Sequence, residues 1–192
     1  MVTEKDERFY AEFTDFNELL CDDWIFENVI ANLRYDHMRE KISDRVSVIG
    51  NETYVIGDSV YIRAILEEWL ADQADISEGK RIQFVGDVCQ YDMVLLANLF
   101  GGSRKLPSWV NPCAYDICQD ICARVKYDGK HPSVLNNGKL YWYPDTECMF
   151  DAFDLDREKL VINLKGTLPT GENHNSLYDA LITKEIYEGM RR

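Results

Sequence analysis

The sequence predicts an α/β domain, a mixed sheet flanked by helices, and three observations carry that prediction. Arg8 to Phe16 alternates with the period of a strand, Val46–Ile49 and Thr53–Ile56 form a hairpin pattern, and Arg81 to Phe100 reads as strand, loop and helix. The chain then closes on apolar residues spaced by four, the mark of a helix that docks one face on a sheet.

Taken in order, Phe9, Ala11 and Phe13 fall on one side of the first strand and Tyr10, Glu12 and Thr14 on the other, which predicts a half-buried strand entered through a turn at Glu4 to Glu7. Asp22 or Asp23 caps a helix whose apolar positions are Ile25, Phe26, Val29, Ile30 and Leu33. Gly50-Asn51-Glu52 joins the two β-rich runs as a short hairpin loop, read as a small excursion. Asp58 or Ser59 caps a second helix to about Ala71, with Ile62, Ile65, Leu66, Trp69 and Leu70 as its buried stripe.

Arg81 to Val88 predicts a buried strand through Ile82, Phe84, Val85 and Val88. Asp92 to Phe100 follows as a helix burying Met93, Leu96, Ala97 and Phe100 and stopped by Gly101-Gly102. Tyr115 to Val125 fits either strand or helix, and Gly138 to Trp142 reads as a short strand beside the Asn136-Asn137-Gly138 turn. The last helix starts near Asn175, with Tyr178, Leu181, Ile182, Ile186 and Met190 facing the sheet.

With 192 residues, 46% of them hydrophobic and 12% aromatic, the chain has the material for one core, and the absence of repeats or linkers predicts a single domain over 1–192. No stretch approaches the roughly 20 apolar residues of a membrane span. The charged opening Met1-Val2-Thr3-Glu4-Lys5-Asp6-Glu7 does not suit a signal peptide, so the expectation is a cytoplasmic protein with no membrane partner. The six cysteines form no CxxC pair and read as small core residues kept reduced. Cys113, Cys118 and Cys122, spaced by five and four, do not match a zinc knuckle, and His131 is a poor fourth ligand.

A net charge of -13 argues against a surface that coats nucleic acid broadly, because phosphate contacts draw on clustered Lys and Arg. Two classes remain compatible with it. A nuclease that holds a strand end through divalent cations concentrates carboxylates where the metal sits. A protein that imitates nucleic acid in a partner's basic groove carries the same charge.

Two segments hold residues that can carry chemistry. His174-Asn175-Ser176-Leu177-Tyr178-Asp179-Ala180 places a His just before a helix and an Asp in its first turn, where a carboxylate is held against the sheet and a loop His can swing above it. The bland reading of the same residues is a capped helix whose dipole Asp179 offsets. Phe84 to Gly101 carries Asp87, Tyr91 and Asp92 at a strand-to-helix junction; its bland reading makes Asp92 an N-cap and Asp87 a strand-end acid. Tyr91, Trp109 and Trp142 have the faces to stack bases, although aromatics among apolar neighbours are more often core. Asp151, Asp154, Asp156 and Glu158 lack the central Gly and closing Glu of a calcium loop and read as solvated, while His37 and His131 have no evident partner.

Together these segments resemble the last and middle motifs of the His-containing DEDD 3′-to-5′ exonucleases, particularly the small exoribonucleases of mycobacteria and phages. Phe9-Tyr10-Ala11-Glu12-Phe13-Thr14-Asp15, Asp23 to Val29 and Pro112-Cys113-Ala114-Tyr115-Asp116-Ile117 are similar to the same subgroup, leaving only Asp128 to Asp145 without a likeness. The resemblance implies an RNase H-like fold and two Mg²⁺ or Mn²⁺ ions held in part by Asp92 and Asp179. It further implies His174 as the base that deprotonates the attacking water, Tyr91 as a substrate contact, and the 3′ end of single-stranded RNA or DNA as partner.

The family's first motif, Asp-x-Glu on the opening strand, has no match. The nearest candidate, Tyr10-Ala11-Glu12, puts a tyrosine where a carboxylate belongs. The resemblance therefore implies that Arg8 to Phe16 is the third strand, that Met1-Val2-Thr3 is the tail of the second, and that the N-terminal part of the fold is missing. Expected consequences are an impaired active site and a chain that is unstable, paired differently or a homodimer. The alternative expectation is a non-catalytic protein, such as a phage-encoded inhibitor, that reuses the scaffold and presents an acidic surface to a protein partner.

Overall fold

Three strands with β-branched and aromatic residues form the main sheet of the computed structural model, which describes residues 1–34, 45–74, 79–126, 133–136, 139–142, 155–171 and 175–191. β1 (Arg8–Phe13) lies at one side, paired in parallel with β3 (Glu52–Gly57) from Arg8 opposite Glu52 to Phe13 opposite Gly57. β2 (Arg45–Ile49) pairs antiparallel with the other edge of β3. The hairpin is thus no excursion, because β3 is the central strand of this sheet. Gly50, at φ +61°, supplies the positive dihedral that a two-residue hairpin loop demands at its first position.

Ahead of β1 the chain doubles back as the alternation predicts. Met1 N donates to Phe9 O at 2.8 Å, Phe9 N to Met1 O at 3.0 Å and Thr3 N to Glu7 O at 2.8 Å, so Met1 to Thr3 runs antiparallel to the start of β1. Asp6 turns the corner at φ 69°, a conformation Asp tolerates, and Asn51 Nδ2 donates to its carbonyl at 2.6 Å.

β1 is buried on both faces rather than one. Phe9 packs with Val55, Ile62, Leu66 and Leu70, whereas Tyr10 packs with Leu177 and Leu181 on the opposite side. The cause is a helix on each face: α2 (Ser59–Gln73) covers the first, and the last helix, Ser176–Met190, covers the second. α2 starts where predicted, with Asp58 Oδ1 accepting from Tyr61 N at 2.8 Å. Its deeply buried positions Ile62, Leu66 and Leu70 recur every four residues.

The helix predicted after Asp22 is shorter than its apolar pattern. α1 (Asp23–Asn28), capped by Asp22, gives way to a 3₁₀ turn at Ile30–Asn32, and none of its residues is buried. With its apolar residues only half-buried, the stripe from Ile25 to Leu33 does not hold one continuous helix.

A second, short parallel pair consists of β4 (Val85–Gly86) and β5 (Tyr115–Asp116), extended by a bridge between Ile82 and Val110. Most of the predicted strand from Arg81 is therefore extended chain running beside the 109–116 segment, joined by Ile82 N to Trp109 O and Tyr115 N to Phe84 O, both 2.8 Å. α3 (Gln90–Leu99) follows β4, and α4 (Ile117–Lys126) follows β5. Tyr115 to Val125 thus resolves as a strand tip and a helix. A further hairpin pairs Ser133–Asn136 with Lys139–Trp142.

Two helices close the chain. α5 (Arg157–Lys165), capped by Asp156 and ended by Gly166 at φ 84°, was not expected, since its acidic approach reads as solvated loop. α6 (Ser176–Met190), capped by Asn175, buries the predicted Tyr178, Leu181, Ile182, Ile186 and Met190. It packs against β1 and β4 alike, so one helix spans the two sheet pieces. Among the described residues no helix is long and apolar enough to cross a membrane.

Candidate active site

The junction of β4 and α3 concentrates the acidic residues singled out in the sequence. Val88, between them, has φ 55°, a left-handed conformation that costs a β-branched residue about 1–3 kcal/mol. Asp116, at the end of β5, holds this elbow. Its Oδ1 accepts from Val88 N and its Oδ2 from Cys89 N, both at 3.1 Å, while Oδ1 also accepts from Cys118 N at 2.9 Å. One carboxylate thereby serves the N-terminal amides of two helices, α3 and α4.

Asp92 is in the first turn of α3, not at its N-cap, which is Cys89. The N-cap reading of Asp92 is therefore corrected: the helix starts three residues earlier, and Asp116 accepts from the amides of Val88 and Cys89 at its start. Asp92 instead lies back over the end of β4. A Cβ on Gly86 would stand 3.7 Å from Asp92 Oδ2 and 3.0 Å from Cys89 Sγ, so the glycine leaves the room both side chains use. Burial raises the Asp92 carboxyl above its usual range, and the nearby Asp87 carboxylate adds to the effect. The amino group of Met1 opposes it, which places the N-terminal strand beside this acid.

Asp87 is itself engaged. Arg157, the first residue of α5, donates Nη2 to Asp87 Oδ1 at 2.9 Å and Nε to Asp87 Oδ2, and anchors Nη1 on Leu155 O at 2.8 Å. The fork geometry suits a planar guanidinium and fixes the carboxylate in direction as well as charge. Cys89 is buried, with its Sγ donating to Tyr115 O at 3.2 Å. Burial, with the Asp116 charge, pushes its thiol up to about 11, so it is a packed thiol rather than a nucleophile. The core assignment also holds for Cys118, while Cys113 is exposed.

Tyr91 is 66% exposed beside Asp92, on an outward face of α3 shared with Val94 and Leu95, so it is not a core residue. Asp179 is exposed in the first turn of α6, its amide donating to Asn175 O at 3.0 Å. His174 lies outside the described residues. Glu12 is buried at 2% exposure, accepting from Tyr10 Oη at 2.8 Å and from Arg34 N at 2.7 Å. Asn175 extends this network, with Nδ2 at 3.0 Å from Asn32 O. Glu12 is thus tied into the packing between β1 and the start of α6.

Asp92 offers the hard oxygen donor that Mg²⁺ and Mn²⁺ take, and such ions often use only one or two carboxylates beside water and phosphate. Among the described residues no three His, Cys, Asp or Glu side chains gather into a group able to hold a metal ion. The donor chemistry at Asp92 fits one anchoring carboxylate, not a closed cage.

Sequence reasoning missed Asp116 and Arg157. Asp116 was legible as a cap, standing directly before the apolar positions Ile117, Cys118 and Ile121. No local signal pairs Arg157 with a residue 70 positions earlier. The fold and the elbow define an α/β protein with an acidic strand-to-helix junction braced by a second strand and a later helix. No family model, curated protein or solved structure matches the chain.

Proposed function

We propose that this chain is an exonuclease-type α/β domain of RNase H-like character, of the kind that hydrolyses the 3′ end of single-stranded RNA or DNA with Mg²⁺ or Mn²⁺. Asp92 is its central metal carboxylate, Asp179 a second ligand and His174 the base for the attacking water. Tyr91, exposed beside Asp92, stacks on the substrate. The observation that carries the reading is Asp92 itself: an exposed side chain in the first turn of α3, set over the end of β4 just beyond a strained turn, with its carboxyl raised above the usual range. Perturbed carboxylates in such settings are functional candidates.

With the metal bound, the chemistry supplied is activation of water and stabilisation of the leaving oxygen. The protein's part is to fix the carboxylate and leave a face open for a strand end. No Asp-x-Glu pair occurs on β1 or ahead of it, so these residues alone are proposed to be inactive or nearly so. The test is Mn²⁺ binding, read from the free-Mn²⁺ electron paramagnetic resonance signal. The chain binds Mn²⁺, and Asp92→Asn weakens binding at least about tenfold. Equal binding by both, or by neither, contradicts the reading.

One feature favours the rival, a non-catalytic interaction protein. Leu19 and Leu20 are 94% and 78% exposed and Trp24 is 56% exposed, between the acids Glu18, Asp22, Asp23 and Glu27. An apolar patch set among carboxylates suits a partner with a basic-rimmed apolar groove.

A further inference from the structure

Asp92 occupies its place because the chain turns sharply at Val88, and that turn is strained on its own. Two props hold it. The Asp116 carboxylate binds the amides of Val88 and Cys89, both at 3.1 Å, and the Arg157 guanidinium holds the preceding Asp87 from α5. Of these two, Asp116 is the one that touches the strained peptide. It reaches there from the neighbouring strand, 28 residues further along the chain, and is anchored in turn by capping α4 through Cys118 N at 2.9 Å.

We propose that Asp116 is a positioning residue for Asp92: by holding the left-handed turn at Val88 it fixes the first turn of α3, and with it the carboxylate that anchors the metal. The inference rests on the metal reading of Asp92 given above. It also explains why α3 begins on Cys89, a residue whose side chain makes no cap hydrogen bond: the capping group comes from another strand. An anion at these amides is favoured by the helix dipole, and the same position is thereby closed to a phosphate of the substrate.

The experiment uses the 192-residue chain in five forms: unchanged, Asp92→Asn, Asp116→Asn, Asp116→Ala, and Asp116→Asn combined with Val88→Gly. Mn²⁺ affinity is read by electron paramagnetic resonance, amide hydrogen exchange at Val88, Cys89 and Asp92 by mass spectrometry or NMR, and folding by circular dichroism. Asp116→Asn is expected to keep the fold, speed exchange at the elbow, and weaken Mn²⁺ binding by about tenfold, the usual effect of removing a group that orients a metal ligand. Asp116→Ala weakens it further. Val88→Gly, which removes the left-handed penalty, restores affinity in the Asp116→Asn background. A purely structural cap would lower stability without moving Mn²⁺ affinity in the folded protein, and glycine would restore nothing; either result overturns the proposal. If Asp92→Asn abolishes binding while Asp116→Asn leaves it unchanged, the positioning role fails and the metal reading stands. If the unchanged chain binds no Mn²⁺, the metal reading fails and the positioning role with it, even where exchange at the elbow has quickened.

Discussion

Arg157 and Asp87, 70 residues apart in the chain, meet through two guanidinium nitrogens, with Nη2 2.9 Å from Oδ1 and both side chains mostly buried. This pair ties α5 to the end of β4, immediately before the turn that carries Asp92. A charge-assisted bidentate contact at that depth contributes more than a surface ion pair.

Arg157→Gln is therefore expected to destabilise the protein by about 1.5–3 kcal/mol, the cost of losing hydrogen bonds to a charged group. Arg157→Lys recovers only part of that, since an ammonium cannot reproduce the fork. Urea denaturation of the three proteins checks both statements. A loss under about 0.5 kcal/mol for Arg157→Gln would place the pair among ordinary surface contacts.

Asp92 gives a pH-dependent signature. Its pKa is raised in the folded protein, so the folded state resists ionising it, and the penalty is absent when the group is protonated in both states and grows as pH rises through the raised folded value. Asp92→Asn removes that penalty. The variant is expected to melt above the parent at pH 7 without metal, an advantage that vanishes below the ordinary aspartate value of 3.8. Thermal melts across pH 3 to 8 measure it; a variant less stable than the parent at neutral pH would contradict the account.

Gly86 is the third element of the elbow. Alanine there would bring a methyl to 3.0 Å from Cys89 Sγ and 3.7 Å from Asp92 Oδ2. Gly86→Ala is expected to cost about 1–3 kcal/mol in stability, the range for overpacking a filled site, and to lower Mn²⁺ affinity as well. Gly102, with nothing within 4 Å of an added Cβ but φ 121°, offers the contrast: substitution there strains the backbone and leaves Mn²⁺ affinity unchanged.

The buried carboxylate of Glu12 makes a separate prediction. Tyr10→Phe removes the hydroxyl that donates to it at 2.8 Å, and leaving a buried acceptor short of a donor costs about 1–3 kcal/mol. Denaturation midpoints of Tyr10→Phe and Glu12→Gln test whether Glu12 belongs to the packing. A stable Tyr10→Phe chain that loses Mn²⁺ affinity would instead make Glu12 a candidate metal ligand.

Local patterns made much of this legible. The alternation at Phe9 to Phe13 marked β1, Asp58 marked the start of α2, and the four-residue spacing from Tyr178 to Met190 marked α6, because each is a property of neighbours in sequence. What depends on distant partners was not visible. The burial of both faces of β1 follows from helices arriving 50 and 160 residues later, to the nearest ten, and the central place of β3 from its parallel pairing with β1. α1 shows the reverse error: an apolar stripe was present, but its residues are only half-buried and the helix stops at Asn28. At the site, Asp92 was singled out through its motif, whereas Asp116 and Arg157 act across the fold and left no local trace that points to Asp92.

The most direct test of the central claim is Mn²⁺-dependent release of nucleotides from a 3′-labelled single-stranded RNA. The 192-residue chain is compared with a chain extended at its N-terminus by a strand carrying Asp-x-Glu, each also as Asp92→Asn and His174→Ala. The account predicts little or no release by the chain alone, release by the extended chain, and loss of that release in both variants. Release by the extended chain that survives Asp92→Asn, or inertness of every form, would contradict it and favour a protein whose acidic and apolar surface binds a partner.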